Sequence, residues 1–116
     1  MLFGLTTLRS GLIFSDMKAT LLLRSREILS ETAFIERVLW QLPEPLPGSA
    51  HRLKYRLAFV VDGVCVVRYD NERGKGDHRH VGTVESEYRF STPEALLDDF
   101  WRDVAQWRQT HEHRDD

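Results

Sequence analysis

Leu53, Tyr55, Leu57, Phe59 and Val61 alternate with Lys54, Arg56, Ala58 and Val60. A period of two is the mark of a strand that buries one face. Asp62-Gly63 follows, and Val64-Cys65-Val66-Val67 continues the apolar run. The segment therefore predicts a β-hairpin with a two-residue turn. With Val61 opposite Val64, a regular register sets Phe59 against Val66, Leu57 against Arg68, Arg56 against Tyr69, Tyr55 against Asp70 and Lys54 against Asn71. Alternation then assigns Leu53, Tyr55, Leu57 and Phe59 to the core. Lys54, Arg56, Tyr69 and Asn71 gather on the other face, at the end far from the turn.

The flanking pattern extends the sheet. Residues 18–24 carry Ala-Thr-Leu-Leu-Leu, a run of strand length, and Arg26-Glu27 reads as its turn. Residues 27–42 alternate imperfectly. A helix from Ser30 competes there with a bent strand, and the β-branched and aromatic content around Phe34-Ile35 and Val38-Leu39-Trp40 favours the strand. Three prolines and Gly48 make residues 43–49 a loop. Residues 80–87 predict another strand with a bulge or bend at Gly82, and Tyr88 and Phe90 keep strand-like alternation. The last element is a helix: Thr92 caps it, Pro93 takes its first position and Glu94 its first turn. Leu96, Leu97, Phe100, Trp101, Val104 and Trp107 form its apolar stripe, so replacing Trp101 or Trp107 by alanine should unfold the domain. Strands first and helix last predict an α+β domain: a mainly antiparallel sheet of four to six strands with an amphipathic C-terminal helix on one face. Residues 17–110 make this single domain. Residues 1–16 form an extension outside it, and residues 111–116 a charged tail.

At 116 residues the chain has room for one modest core. Its single cysteine, Cys65, excludes a disulfide framework and reads as a small buried hydrophobe. No apolar stretch is long enough for a membrane span. The net charge of −2 gives no overall pull toward nucleic acid, but its distribution is uneven. Residues 51–80 carry a local excess of +3, and residues 91–116 an excess of −4. A basic centre on a near-neutral chain is what an anion-binding site requires.

The chemistry concentrates in residues 69–80, Tyr-Asp-Asn-Glu-Arg-Gly-Lys-Gly-Asp-His-Arg-His. In an extended segment His78 and His80 project to one side, where two imidazoles can take and give a proton at one phosphate. Lys54, Arg56, Arg73 and Lys75 would supply positive charge to a developing phosphorane. Gly74 and Gly76 flank Lys75 in a turn whose N–H groups form an anion nest, although the segment is not a P-loop. Asp77 or Asp70 would orient an imidazole. A metal set of Asp77, His78, His80 and Asp70 is the alternative, opposed by the neighbouring Arg73, Lys75 and Arg79. Tyr69 on the polar face is a candidate for stacking on a base, beside Asn71.

Lys-Tyr-Arg-Leu at 54–57, the hairpin, the twelve residues 69–80 and the acidic-aromatic helix from Pro93 together resemble the TumE-like toxins of bacterial toxin-antitoxin pairs. The likeness covers about residues 18–108. It implies a small cytoplasmic toxin, encoded beside a helix-turn-helix antitoxin, that blocks translation by cutting RNA. Combined with the residues, it leads to the expectation of a metal-independent endoribonuclease without a cofactor. One of His78 and His80 would accept the 2′-hydroxyl proton and the other protonate the leaving 5′-oxygen, with Lys54, Arg56 and Lys75 at the phosphate. A homo-oligomer is compatible with this reading. Two alternatives stay open: a non-catalytic module that binds RNA, a nucleotide or the antitoxin, and an enzyme that transfers a nucleotide to a target.

Overall fold

A computed structural model describes residues 18–112. Six strands, β1 (Thr20–Ile28), β2 (Ala33–Gln41), β3 (Leu53–Val61), β4 (Val64–Glu72), β5 (Gly76–Val81) and β6 (Val84–Glu87), precede one helix, α1 (Pro93–Glu112). The strands form a single antiparallel meander in sequence order. The α+β expectation holds, with the strand number at its upper limit. The expected extension, residues 1–16, lies outside the described residues, as do residues 113–116 of the expected tail.

The first hairpin is longer than its apolar core suggests. β1 runs through Arg26-Glu27 to Ile28, and the chain reverses over Ser30-Glu31-Thr32. There the Leu29 and Ser30 amides both donate to the Ala33 carbonyl, and Ser30 Oγ accepts from the Thr32 amide. Side-chain to backbone bonds of this kind favour a turn over helix continuation, and residues 33–41 are accordingly a strand. Arg26 does not end β1, because it pairs across the sheet with Glu36 at 2.8 Å.

Asp62 and Gly63 turn the β3–β4 hairpin with positive φ of 52° and 77°, the conformation that a two-residue turn demands. Val61 faces Val64 as expected, but the regular register does not continue. A bulge between Phe59 and Val60 sets Phe59 against Val67, Leu57 against Tyr69 and Arg56 against Asp70. One extra residue in β4 inverts every facing beyond it. Tyr69 and Asn71 therefore point into the core rather than to the polar face, at 2% and 1% exposure. Arg68 and Asp70 take their place outside.

The polar stretch 69–80 is not a separate loop. It is the β4–β5 hairpin, with Arg73-Gly74-Lys75 at its tip. The chain then turns at Gly82-Thr83, so the single strand expected over residues 80–87 is two, β5 and β6. Tyr88 and Phe90 lie beyond β6 and pack against the core.

Thr92 Oγ1 accepts from the Ala95 amide at 3.0 Å, the expected N-cap. Leu96, Phe100 and Val104 bury against Ile35, Leu39, Tyr55, Leu57, Phe59, Val67 and Tyr69. Trp107 meets Phe59 edge-on at 5.5 Å. Trp101 is 44% exposed, so it belongs to the outer side of the helix and not to its buried stripe. The helix is also fastened by polar bonds. Arg79 holds Asp103 through two contacts of 2.7 and 3.0 Å, Tyr69 donates to the same carboxylate, and Tyr88 donates to Asp99. Helix contacts fall on β3 and β4, and among the described residues nothing covers the opposite face of the sheet. Among the described residues no helix is long and apolar enough to cross a membrane.

Candidate functional site on the open sheet face

Alternation places Lys54, Arg56, Arg68, Asp70, His78, His80, Glu85 and Glu87 on the face away from α1. Pairing aligns all of them but Lys54 into two rows. Arg56 lies opposite Asp70, Asp70 opposite His78 and His78 opposite Glu87. In the next row Ala58 lies opposite Arg68, Arg68 opposite His80 and His80 opposite Glu85. Two strand spacings, about 10 Å, separate Arg56 from His78. Their side chains can reach one phosphodiester.

The two histidines have different partners. An Arg68 Nη2 to His80 Nε2 contact of 2.8 Å makes that nitrogen the acceptor, because a guanidinium only donates. His78 Nε2 instead donates to the Lys75 carbonyl at 2.9 Å. Glu85 stands between the rings, 3.4 Å from His78 Nδ1 and 3.7 Å from His80 Nε2. Arg68 Nε is 3.3 Å from Asp70 Oδ2 but is misaligned for a hydrogen bond, which leaves it an unsatisfied donor on this face. Lys54 Nζ donates to the Asn71 carbonyl. Burial lowers the Lys54 pKa, with Asp70 and Glu72 partly opposing the shift.

Asp77 faces the other way. Its carboxylate accepts from Tyr55 Oη at 2.6 Å and from His51 Nε2 at 2.9 Å. His51 Nδ1 accepts from the Leu53 amide, and its ring lies 3.9 Å from that of Phe90. Both nitrogens of His51 are thus occupied in holding the chain together. The Tyr55 hydroxyl, buried and bonded to Asp77, is driven far above the ordinary phenol range. The expectation that Asp77 orients His78 or His80 is corrected, and so is the metal set built on Asp77 with the two histidines. Neighbouring residues on a strand point to opposite faces. Among the described residues no three His, Cys, Asp or Glu side chains are arranged to hold a metal.

Tyr69 and Asn71 are likewise internal. The Tyr69 hydroxyl donates to Asp103, and the Asn71 side chain bonds the Tyr55 amide and the Leu53 carbonyl. Neither presents a surface to a ligand. Arg73, Gly74, Lys75 and Gly76 sit at the hairpin tip, where Lys75 lies 3.6 Å from Glu72. Gly74 donates to the Pro47 carbonyl, and a side chain at Gly48 would come within 3.1 Å of the Gly74 backbone. The tip is therefore docked on the proline-rich loop rather than free to wrap an anion.

Sequence reasoning brought together His78, His80, Lys54 and Arg56 but missed Arg68 and Glu85. Glu85 was within reach: a two-residue turn at Gly82-Thr83 sets it directly across from His80. Arg68 was hidden by the bulge.

A family model described as "Toxin TumE" matches residues 15–108. No curated protein and no solved structure matches the chain.

Proposed function

The chain belongs to the TumE toxin family, and on that footing we propose that it is the toxin of a toxin-antitoxin pair that acts by cleaving RNA without a metal ion. The observation that carries this reading is the row alignment that gives His78 and His80 a common face with Arg56, Arg68 and Lys54. An incoming phosphate would draw Arg68 away from His80, freeing Nε2 to take the proton of the ribose 2′-hydroxyl. The 2′-oxygen then attacks phosphorus. His78, protonated with Nδ1 toward Glu85, exchanges the Lys75 carbonyl at Nε2 for the departing 5′-oxygen and gives that oxygen its proton. Arg56, Arg68 and Lys54 stabilise the phosphorane. The products are a 2′,3′-cyclic phosphate and a 5′-hydroxyl, and the proton count balances.

In this reading Glu85 takes the orienting role expected of Asp77 or Asp70. The partner is an antitoxin, and a helix-turn-helix protein encoded alongside fits the family resemblance. The test is RNA cleavage in EDTA by the purified chain and by His78→Ala, His80→Ala and Lys54→Ala, alongside growth arrest and thermal melts. We expect cyclic-phosphate ends from the parent and at least a hundredfold loss in either histidine variant with an unchanged melt. Cleavage that survives both substitutions, or that appears only with added divalent metal, overturns the mechanism. Growth arrest without any cleavage would favour the non-catalytic binding module.

A further inference from the structure

The open face continues past the histidines, and its charge is sorted. Toward β6 it carries Glu85 and Glu87, whereas toward β1 it carries the five cations Arg68, Lys54, Arg56, Arg24 and Arg26 against the three acids Asp70, Glu72 and Glu36. A polyanion lying on the His78–His80 site is repelled by the β6 edge and drawn toward β1. Aromatic rings wait there on the same face. Trp40 pairs with Lys54 across β2 and β3, and Phe34 lies further along β2. The Arg26 guanidinium lies 4.0 Å from the Phe34 ring centroid and is held by Glu36. Arg24 stands 5.9 Å from the Trp40 centroid, at the outer limit of a cation–π contact. Between the two arginines is a depression of about 310 Å³ with Val38 and Glu36 in its lining.

We propose that the β1–β2 part of this face is a base-binding platform for single-stranded RNA, in which a base a few nucleotides from the scissile phosphate stacks against Trp40 and the Arg24 guanidinium. The inference rests on the nuclease reading for its direction along the sheet but not for its physics. Guanidinium planes and aromatic faces both accept unpaired bases, and a base inside a duplex cannot reach them. The Glu36 carboxylate, already committed to Arg26, keeps that guanidinium seated on Phe34 and leaves Arg24 as the other half of the clamp.

The test uses the full chain and labelled oligonucleotides with 2′-O-methyl riboses, which lack the attacking hydroxyl. We expect Trp40→Ala to bind a single-stranded hexanucleotide about tenfold more weakly, the loss of one stacked base. Trp40→Phe should restore most of the affinity, and Arg24→Ala should reduce both the affinity and its dependence on salt. An abasic oligonucleotide of equal length should bind the parent and Trp40→Ala alike, because only the phosphates remain to be read. Equal loss on the abasic strand, unchanged affinity in Trp40→Ala, or a duplex that binds as well as the single strand overturns the proposal. So does a Trp40→Ala variant that loses its hold on the antitoxin while RNA affinity stays constant, which would make the face a protein interface. Tight base-dependent binding by a chain that never cleaves RNA would remove the nuclease reading and leave the platform standing.

Discussion

Lys54, a residue of the candidate site, is held at some expense to the fold. Burial disfavours its charged form, so its folded pKa lies below the ordinary lysine value of 10.5. The folded chain therefore holds that proton less tightly than the unfolded chain, and stability rises with pH between the folded value and 10.5. In Lys54→Met this rise should disappear, which urea titrations taken up toward pH 10.5 would detect. Asp103 has the opposite consequence. Burial pushes its carboxyl up, but hydrogen bonds from Arg79 and Tyr69 outweigh burial and hold it below the usual range. Its contribution is present above about pH 4 and is lost as pH falls through the lowered value. Asp103→Asn should accordingly show a shallower acid-unfolding curve below about pH 4, with stability at neutral pH reduced by about 1–3 kcal/mol because Tyr69 and Arg79 lose a charged acceptor.

At the scale of elements, Gly48 and the β4–β5 hairpin depend on each other. Gly48 has a φ of 87°, and any Cβ there would meet the Gly74 backbone at 3.1 Å. Gly48→Ala should cost about 1–3 kcal/mol in strain and loosen the hairpin tip, which hydrogen exchange at Gly74 would report. Much at this scale was legible. Alternation located β3 and β4, Thr92-Pro93 started α1 where the bond from Ala95 confirms it, and Asp62-Gly63 named its own turn. The errors have physical causes. The bulge between Phe59 and Val60 turns Val67, Tyr69 and Asn71 inward, a demand of the assembled core that no local pattern announces. Phase errors pass undiminished along a strand, so Tyr69 and Asn71 were assigned to the wrong face while Lys54 and Arg56, on the partner strand, were assigned correctly. Asp77 failed differently: its partner His51 is 26 residues away in the chain, joined only after three strands have assembled.

At the scale of the molecule the helix and the candidate site occupy opposite sides of one sheet, so stability and activity should separate under mutation. Phe100, 1% exposed beneath the helix, should cost about 3–5 kcal/mol as alanine. Trp101, at 44% exposure, should change stability by about 0.5 kcal/mol or less, contrary to what its place in the apolar stripe suggested. Urea unfolding distinguishes the two. His78 and His80 substitutions, by contrast, should leave the transition unmoved, since the bonds of both rings are confined to the open face.

Val66 can be regarded as a spare link. The partners from Phe59 back to Arg56 are already paired as though it were missing, and those from Val60 to Val61 are paired without it. A gene that lost this codon would keep Tyr69 indoors and the histidines outdoors, and its product should fold. Loss of the codon for Asn71 has no such remedy, because either the residues after it or those between it and the turn would change from indoors to outdoors. Length variation among such chains should therefore be found between the hairpin's turn and Tyr69 rather than beyond it.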